Sequence, residues 1–195
     1  MEKTSTPSTR KIVFTALMAA LTVAGSALRI TIPVDIAGTT SFHLGNIMCA
    51  LSGILLGPWF GGLAAGLGSA IFDMLHPLYI SECWITFLTK GIYGVVAGLV
   101  AWGIRGHWSA QSGKSCLRAY LAATAGAVAY AAVYLAKSFF YNDLLLAGLT
   151  PEAAGLNLVG KLPATAFNAV VAIIAAPLLA IAISKALQRN HLSMD

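Results

Sequence analysis

Three lysines lie inside stretches of this sequence that are otherwise apolar: Lys90, Lys137 and Lys161. A charged side chain at bilayer depth costs roughly 2.5–3.5 kcal/mol, so it normally faces a partner, a cavity or a ligand. If the three lysines share one cavity, their excess positive charge favours a ligand with a carboxylate, a phosphate or several carbonyl acceptors.

Each lysine also has a structural alternative. Lys90 has Asp73 and Glu82 within reach as ion-pair partners if the helices pack suitably. Lys137 and Lys161 lie near the ends of their apolar runs, where a long side chain can snorkel to the interface. Pairing of the lysines with Glu82 and Asp143 would remove the excess charge.

Aromatic and amide side chains accompany the lysines. Tyr93 and Tyr134 are candidates for stacking on a planar ligand, and Asn46 is a further polar candidate. A buried amide both donates and accepts hydrogen bonds, so Asn168 is a candidate to bind a heterocycle edge. A helix-to-helix hydrogen bond is the alternative for Asn168.

The composition identifies the chain as a membrane protein. Of its 195 residues, 58% are hydrophobic and 10% are charged, whereas soluble domains average about 25% charged. The net charge of +5 does not indicate nucleic-acid binding, because the basic residues flank apolar runs. The three cysteines have no metal-ligand spacing, so no metal site is predicted.

Apolar runs separated by polar breaks predict an all-α integral membrane protein, a bundle of six transmembrane helices. Each run is near the length that crosses the hydrocarbon, although the second and third are short. The predicted spans are Ile12 to Ile30, about Phe42 to Leu56, Trp59 to Leu75, Glu82 to Ile104, Cys116 to Tyr141 and Leu158 to Leu187. The break at Gly57-Pro58 separates the second from the third.

The basic residues predict the orientation of this bundle. Eight of them flank the spans on the side of the termini, which predicts that both termini are cytoplasmic: Lys3, Arg10, Lys11, Arg105, Lys114, Arg118, Lys185 and Arg189. The predicted organisation is a cytoplasmic tail at 1–11, one membrane domain at 12–187 and a second cytoplasmic tail at 188–195. The external segments are then Thr31 to Ser41, Pro77 to Ser81 and Asn142 to Asn157.

Polar residues recur at helical spacing on four of the six spans, in the outer part of the membrane. The stripes contain Asp73, Lys90 with Tyr93, Tyr134 with Lys137, and Lys161 with Asn168. Polar stripes avoid lipid, where they would have no partners. They therefore predict a ligand cavity that is open to the outside.

Small residues form a separate surface on the first span. Ala16, Ala20 and Ala24 repeat every four residues, a spacing that lets helix backbones approach closely in lipid. The stripe either packs inside this protein or docks another membrane protein.

The block FHLGNIMCALSGILLGPWFGGLAAGLGSAIFDML, followed by WITFLTKGIYGVVAGL, resembles the substrate-binding S components of energy-coupling factor (ECF) transporters. The riboflavin-type branch is the most similar. The alanine stripe is similar to the docking motif on the first helix of that family. The resemblance covers about residues 12 to 105; the second half matches in span count and total length.

The resemblance implies a function that spacing alone does not. The chain would be a multi-pass protein of the bacterial plasma membrane that captures a water-soluble vitamin or vitamin precursor. It would dock on a transmembrane coupling subunit (T component), and two ATPase subunits would supply the energy. The chain itself would bind no cofactor, which agrees with the absence of a phosphate-binding loop motif from the sequence.

Two other classes stay open. A self-sufficient secondary transporter often shows repeated halves with broken helices, and no clear repeat is visible here. An intramembrane enzyme would need a nucleophile with a base or paired carboxylates, and Asp73 with His76 is the one candidate set. That set has no evident third member, so no catalytic residue is predicted.

Overall fold

The computed structural model describes residues 8–33, 39–103, 108–110 and 113–190. Several positions used in the topology prediction lie outside these residues: Lys3, Ile104, Arg105, part of the external segment Thr31 to Ser41 and most of both predicted tails. The side chain of Lys114 also lies outside the described part.

Among the described residues, five helices are long and apolar enough to cross a membrane, and the second of them contains two of the six predicted spans. In chain order they are α1 (Thr9–Ala27), α2 (Gly45–Leu75), α3 (Cys83–Trp102), α4 (Gly113–Lys137) and α5 (Pro151–Arg189). A 3₁₀ turn at Ile80–Glu82 precedes α3, and a π-helix at Ser138–Leu146 extends α4.

The second and third predicted spans are the two arms of α2. Gly57 interrupts the helix with φ 81° and ψ −177°, a conformation that is essentially restricted to glycine. The chain then folds back, since Ser52 Oγ donates to the carbonyl of Gly61 at 3.0 Å. The predicted break at Gly57-Pro58 is thus a tight reversal within α2, and both ends of α2 lie at the same end of the bundle.

Two short strands depart from the all-α prediction. β1 (Arg29–Pro33) pairs antiparallel with β2 (Thr39–His43), with Thr31 opposite Ser41. The predicted first span continued to Ile30 and the second began at Phe42, so both boundaries were wrong by a few residues. The β-branched alternation Ile30-Thr31-Ile32 favours a strand over a helix.

The predicted external segment Asn142 to Asn157 is mostly helical. The π-helix continues to Leu146, and α5 begins at Pro151 instead of Leu158. Thr150 caps α5 by accepting a hydrogen bond from the Ala153 amide at 3.4 Å, and proline suits the first helical position. The cap residue and the proline mark the start of a helix in the sequence, but a prediction from hydropathy alone does not take them into account.

Glycines bring α3 against both arms of α2. A Cβ at Gly94 would lie 2.7 Å from the carbonyl oxygen of Gly61, and one at Gly98 would overlap the backbone of Pro58. The Gly94 and Gly98 pattern therefore packs inside the protein, against α2. This close contact between α2 and α3 fixes the position of Lys90, one turn before Gly94, relative to the start of α2.

Candidate functional site

A cavity of about 420 Å³ lies at one end of the bundle. Its walls come from both strands, from α2 to α5, from the π-helix and from the turn that contains Tyr79. Small-molecule sites commonly have volumes of about 300–1,000 Å³. Seven of the eight predicted binding residues line this cavity: Asn46, Asp73, Lys90, Tyr134, Lys137, Lys161 and Asn168.

Lys90 lies in the cavity wall with 6% of its surface exposed. Its ammonium group donates a hydrogen bond to Asn46 Oδ1 and sits 3.9 Å from the ring centroid of Tyr130. Within the described part of the chain, no carboxylate oxygen lies within 4.0 Å of its Nζ. The ion pair with Asp73 or Glu82 is thus not formed, and Lys90 is held by an amide and an aromatic ring.

Lys137 has the carboxylate partner that Lys90 lacks. Its Nζ forms an ion pair with Glu82 Oε2, and Asn142 Nδ2 donates to the other carboxylate oxygen at 3.0 Å. Lys137 is the last residue of α4, whereas Glu82 precedes α3 and Asn142 lies in the π-helix. The pair therefore ties the π-helix to the start of α3.

Lys161 belongs to a second, more deeply buried pair. Its Nζ lies 3.2 Å from Asp143 Oδ1 and donates to Ser138 Oγ at 2.5 Å. Asn157 Nδ2 donates to the same Asp143 oxygen at 2.8 Å. Lys161, Asp143 and Ser138 each line the cavity but are at most 3% exposed, so their polar atoms are largely directed at one another.

Three tyrosine rings stack in sequence beside Lys90. Tyr93 and Tyr130 have centroids 5.5 Å apart, and Tyr130 and Tyr134 have centroids 5.7 Å apart. Tyr93 is fully buried and does not line the cavity, unlike Tyr130 and Tyr134. Tyr93 therefore supports the cavity wall from behind, and the stack ends in the cavity at Tyr134.

The side-chain amide of Asn168 forms hydrogen bonds with the β-hairpin. Its Oδ1 accepts a hydrogen bond from the His43 amide at 3.0 Å, and its Nδ2 donates to the Ser41 carbonyl at 2.7 Å. The helix-to-helix bond considered from the sequence is not formed, because the amide oxygen and nitrogen bind the hairpin instead. Asn168 fixes β2 against α5, which places the hairpin residues over the cavity.

Several cavity residues were missed from the sequence. Arg29 lines the cavity from β1, where its guanidinium carbon lies 4.2 Å from the Phe72 ring centroid and 4.9 Å from that of Tyr79. His43 lines it from the end of β2. Burial of the His43 imidazole, with added repulsion from Lys90 and Arg29, lowers its pKa well below the usual 6.5. His43 is therefore a neutral donor and acceptor at pH 7.

The predicted docking residues lie on the outside of the bundle. Ala16, Ala20 and Ala24 are all exposed on α1, whereas Met18 and Thr22 on the opposite face are buried. The stripe thus does not pack against any described part of the chain. Among the described residues, no group of three or more metal-binding side chains occurs either.

These features define a polar cavity within a multi-pass helical membrane protein, the arrangement expected of a transport protein that binds a small solute. The family described as "ECF-type riboflavin transporter, S component" matches residues 6–185, and the chain belongs to this family. It is therefore a substrate-binding transporter subunit of the riboflavin-type branch and not a member of an enzyme class.

The chain is also similar to a protein of Pyrococcus woesei that is described as an uncharacterized protein in the gap 3' region. The two are 33% identical over 139 residues, which is 66% of this chain and 84% of that protein.

Proposed function

We propose that the chain captures a small water-soluble vitamin or vitamin precursor for an ECF-type ABC importer in the cell membrane. The main support for this proposal is the cavity, which is lined by polar side chains from most elements of the fold. The chain also belongs to a family of substrate-binding subunits. Riboflavin is the first candidate ligand, because the family is described by that compound.

The distribution of charge supports an outward-facing cavity. The basic side chains outside the cavity lie toward the opposite end of the bundle, at the start of α1 (Arg10 and Lys11), in α4 (Arg118) and at the end of α5 (Arg189). Basic residues near membrane spans favour the cytoplasmic side. The termini would then be cytoplasmic, and the cavity would receive its ligand from outside.

The exposed face of α1 supports docking to a transmembrane coupling subunit. Ala16, Ala20 and Ala24 present small side chains there, and such stripes allow close helix contacts in lipid. Two ATPase subunits would bind and hydrolyse ATP. This chain would contribute ligand affinity and the docking surface.

The docking surface is tested with Ala20→Trp in the chain co-expressed with the coupling and ATPase subunits of its host. The bulky ring should abolish co-purification of the coupling subunit. Ligand binding, measured as a thermal shift against a panel of water-soluble vitamins that includes riboflavin, should be unchanged.

Ala132→Trp is the matched control, since Ala132 is exposed on α4, away from the stripe. It should leave both co-purification and ligand binding intact. Loss of both properties in Ala20→Trp, or of neither, would contradict the docking role. If no vitamin in the panel stabilises the wild-type chain, the proposed capture function fails.

A further inference from the structure

Among the described carboxylates that line the cavity, Asp73 lies outside both ion pairs. It belongs to the last turn of α2 and is 7% exposed. The other two, Glu82 and Asp143, are paired with Lys137 and Lys161. Within the described part of the chain, no basic nitrogen lies within 4.0 Å of the Asp73 carboxylate. Asp73 is thus the cavity carboxylate that is left for a ligand.

The capacity of Asp73 to accept hydrogen bonds is mostly unused. A carboxylate offers about four lone-pair sites to donors. In the described part of the chain, the hydroxyl of Thr86 on α3 is its one side-chain hydrogen-bonding neighbour. A buried carboxylate with too few donors is costly. Its free sites therefore favour a ligand that brings N–H or O–H donors.

The charges around Asp73 favour a neutral donor. Arg29 and Lys90 are cations close enough to act on its carboxylate, and both line the cavity. They repel a cationic ligand, whereas Asp73 itself repels an anion placed against it. A neutral hydroxyl or N–H group has neither cost, and its hydrogen bond to a charged acceptor is stronger than one between two neutral groups.

Asp73 also lies within electrostatic reach of the tyrosine stack. Its carboxylate acts on Tyr130, which stacks with Tyr134 at the cavity end. Aromatic rings stack favourably on tyrosine. A ligand that combines a ring with donor groups therefore matches the two kinds of wall that the cavity offers.

We propose that Asp73 is a specificity-determining residue of the cavity, which accepts hydrogen bonds from neutral N–H or O–H groups of the captured ligand. The inference rests on the proposed capture function and deepens it, because it selects neutral, donor-bearing compounds among the vitamins and their precursors. Riboflavin fits this class, since it carries a ring N–H and a chain of hydroxyl groups. A ligand without a donor at this position leaves the buried carboxylate unpartnered, and it is rejected for that reason.

The test removes one kind of ligand donor at a time, with the full chain in lipid nanodiscs at pH 7. Riboflavin is compared with 3-methylriboflavin, which lacks the ring N–H, and with lumiflavin, in which a methyl group replaces the hydroxylated chain. Isothermal titration gives the three dissociation constants. At least one analogue should bind roughly 10- to 100-fold more weakly than riboflavin, the usual range for a lost charged hydrogen bond. The affected analogue distinguishes a ring N–H from a chain hydroxyl.

Variants of Asp73 show whether the preference comes from this residue. Asp73→Leu is similar in size and removes the acceptor, so the affinity ratio between riboflavin and the affected analogue should fall at least threefold. Asp73→Asn keeps the shape of the side chain but loses its charge. It provides the same comparison if Asp73→Leu does not fold, and its ratio should fall at least twofold.

Glu152→Gln is the matched control, because Glu152 is an exposed carboxylate near the start of α5 that does not line the cavity. It should leave both affinity ratios unchanged.

Two results would overturn the proposal while the capture function stands: ratios that are unchanged in both Asp73 variants, or equal binding of the three flavins by the wild type. If the wild type binds none of the three, the assignment of a neutral donor at Asp73 is also overturned. The vitamin panel described for the proposed function then decides separately whether the chain captures a nutrient.

Discussion

Three lysines of the cavity differ in function because their neighbours differ. Lys137 and Lys161 hold carboxylates that lie in other elements, and they join those elements together. Lys90 faces an amide and a ring, which leaves its charge available to the cavity. The sequence predicted that these lysines meet, but not how they pair, because the partners come together only after the helices pack.

The pair of Lys161 and Asp143 leads to a prediction about stability. Both side chains are buried, so Lys161→Met would leave Asp143 charged without its partner and should cost about 3–5 kcal/mol. Thermal unfolding of the chain in nanodiscs measures this as a lower melting temperature.

The double variant Lys161→Met with Asp143→Leu is the control, because it removes both charges. It should recover most of the lost stability, since replacement of a buried pair by apolar side chains is often nearly neutral. A single variant as stable as the wild type would show that the pair is not needed to hold the π-helix against α5.

At the scale of elements, the contact between α2 and α3 depends on glycines. Gly94 and Gly98 allow the backbone of α3 to approach both arms of α2. The spacing of these glycines, the apolar runs and the Gly57-Pro58 break were readable in the sequence. The hairpin and the π-helix were not predicted, because the β-branched alternation in β1 is only three residues long and the π-helix continues the apolar run of α4. The hairpin is also held by contacts from a distant helix, those of Asn168.

Alanine substitutions along α3 test this contact. Gly98→Ala places a methyl group against the Pro58 backbone and should cost about 1–3 kcal/mol of stability by overpacking. Gly91→Ala is matched in chemistry and lies in the same helix, but the nearest atom to its Cβ would be 3.7 Å away. It should be neutral or stabilising by up to about 1 kcal/mol.

Thermal unfolding of the two variants provides the comparison. Equal melting temperatures for Gly98→Ala and Gly91→Ala would contradict the close approach of α3 to the reversal in α2.

At the scale of the whole molecule, the binding and docking surfaces are separate. The cavity is lined by the hairpin, the π-helix and α2 to α5, whereas α1 contributes no residue to it and presents its alanine stripe outward. The polar stripes predicted one shared cavity from the sequence, and seven of the eight named residues do line it. Tyr93 is the exception, because it is the first ring of the stack and the ring of Tyr130 separates it from Tyr134 at the cavity end.

The most direct measurement of the central claim is native mass spectrometry of the chain with its captured nutrient after release from nanodiscs. We expect one ligand molecule per chain in the wild type. Thr165→Trp should abolish binding, because Thr165 lines the cavity and a tryptophan there would fill part of its 420 Å³. Thr124→Trp, at an exposed position of α4, should retain one ligand. Full occupancy in Thr165→Trp, or its loss in both variants, would contradict the assignment of this cavity as the capture site.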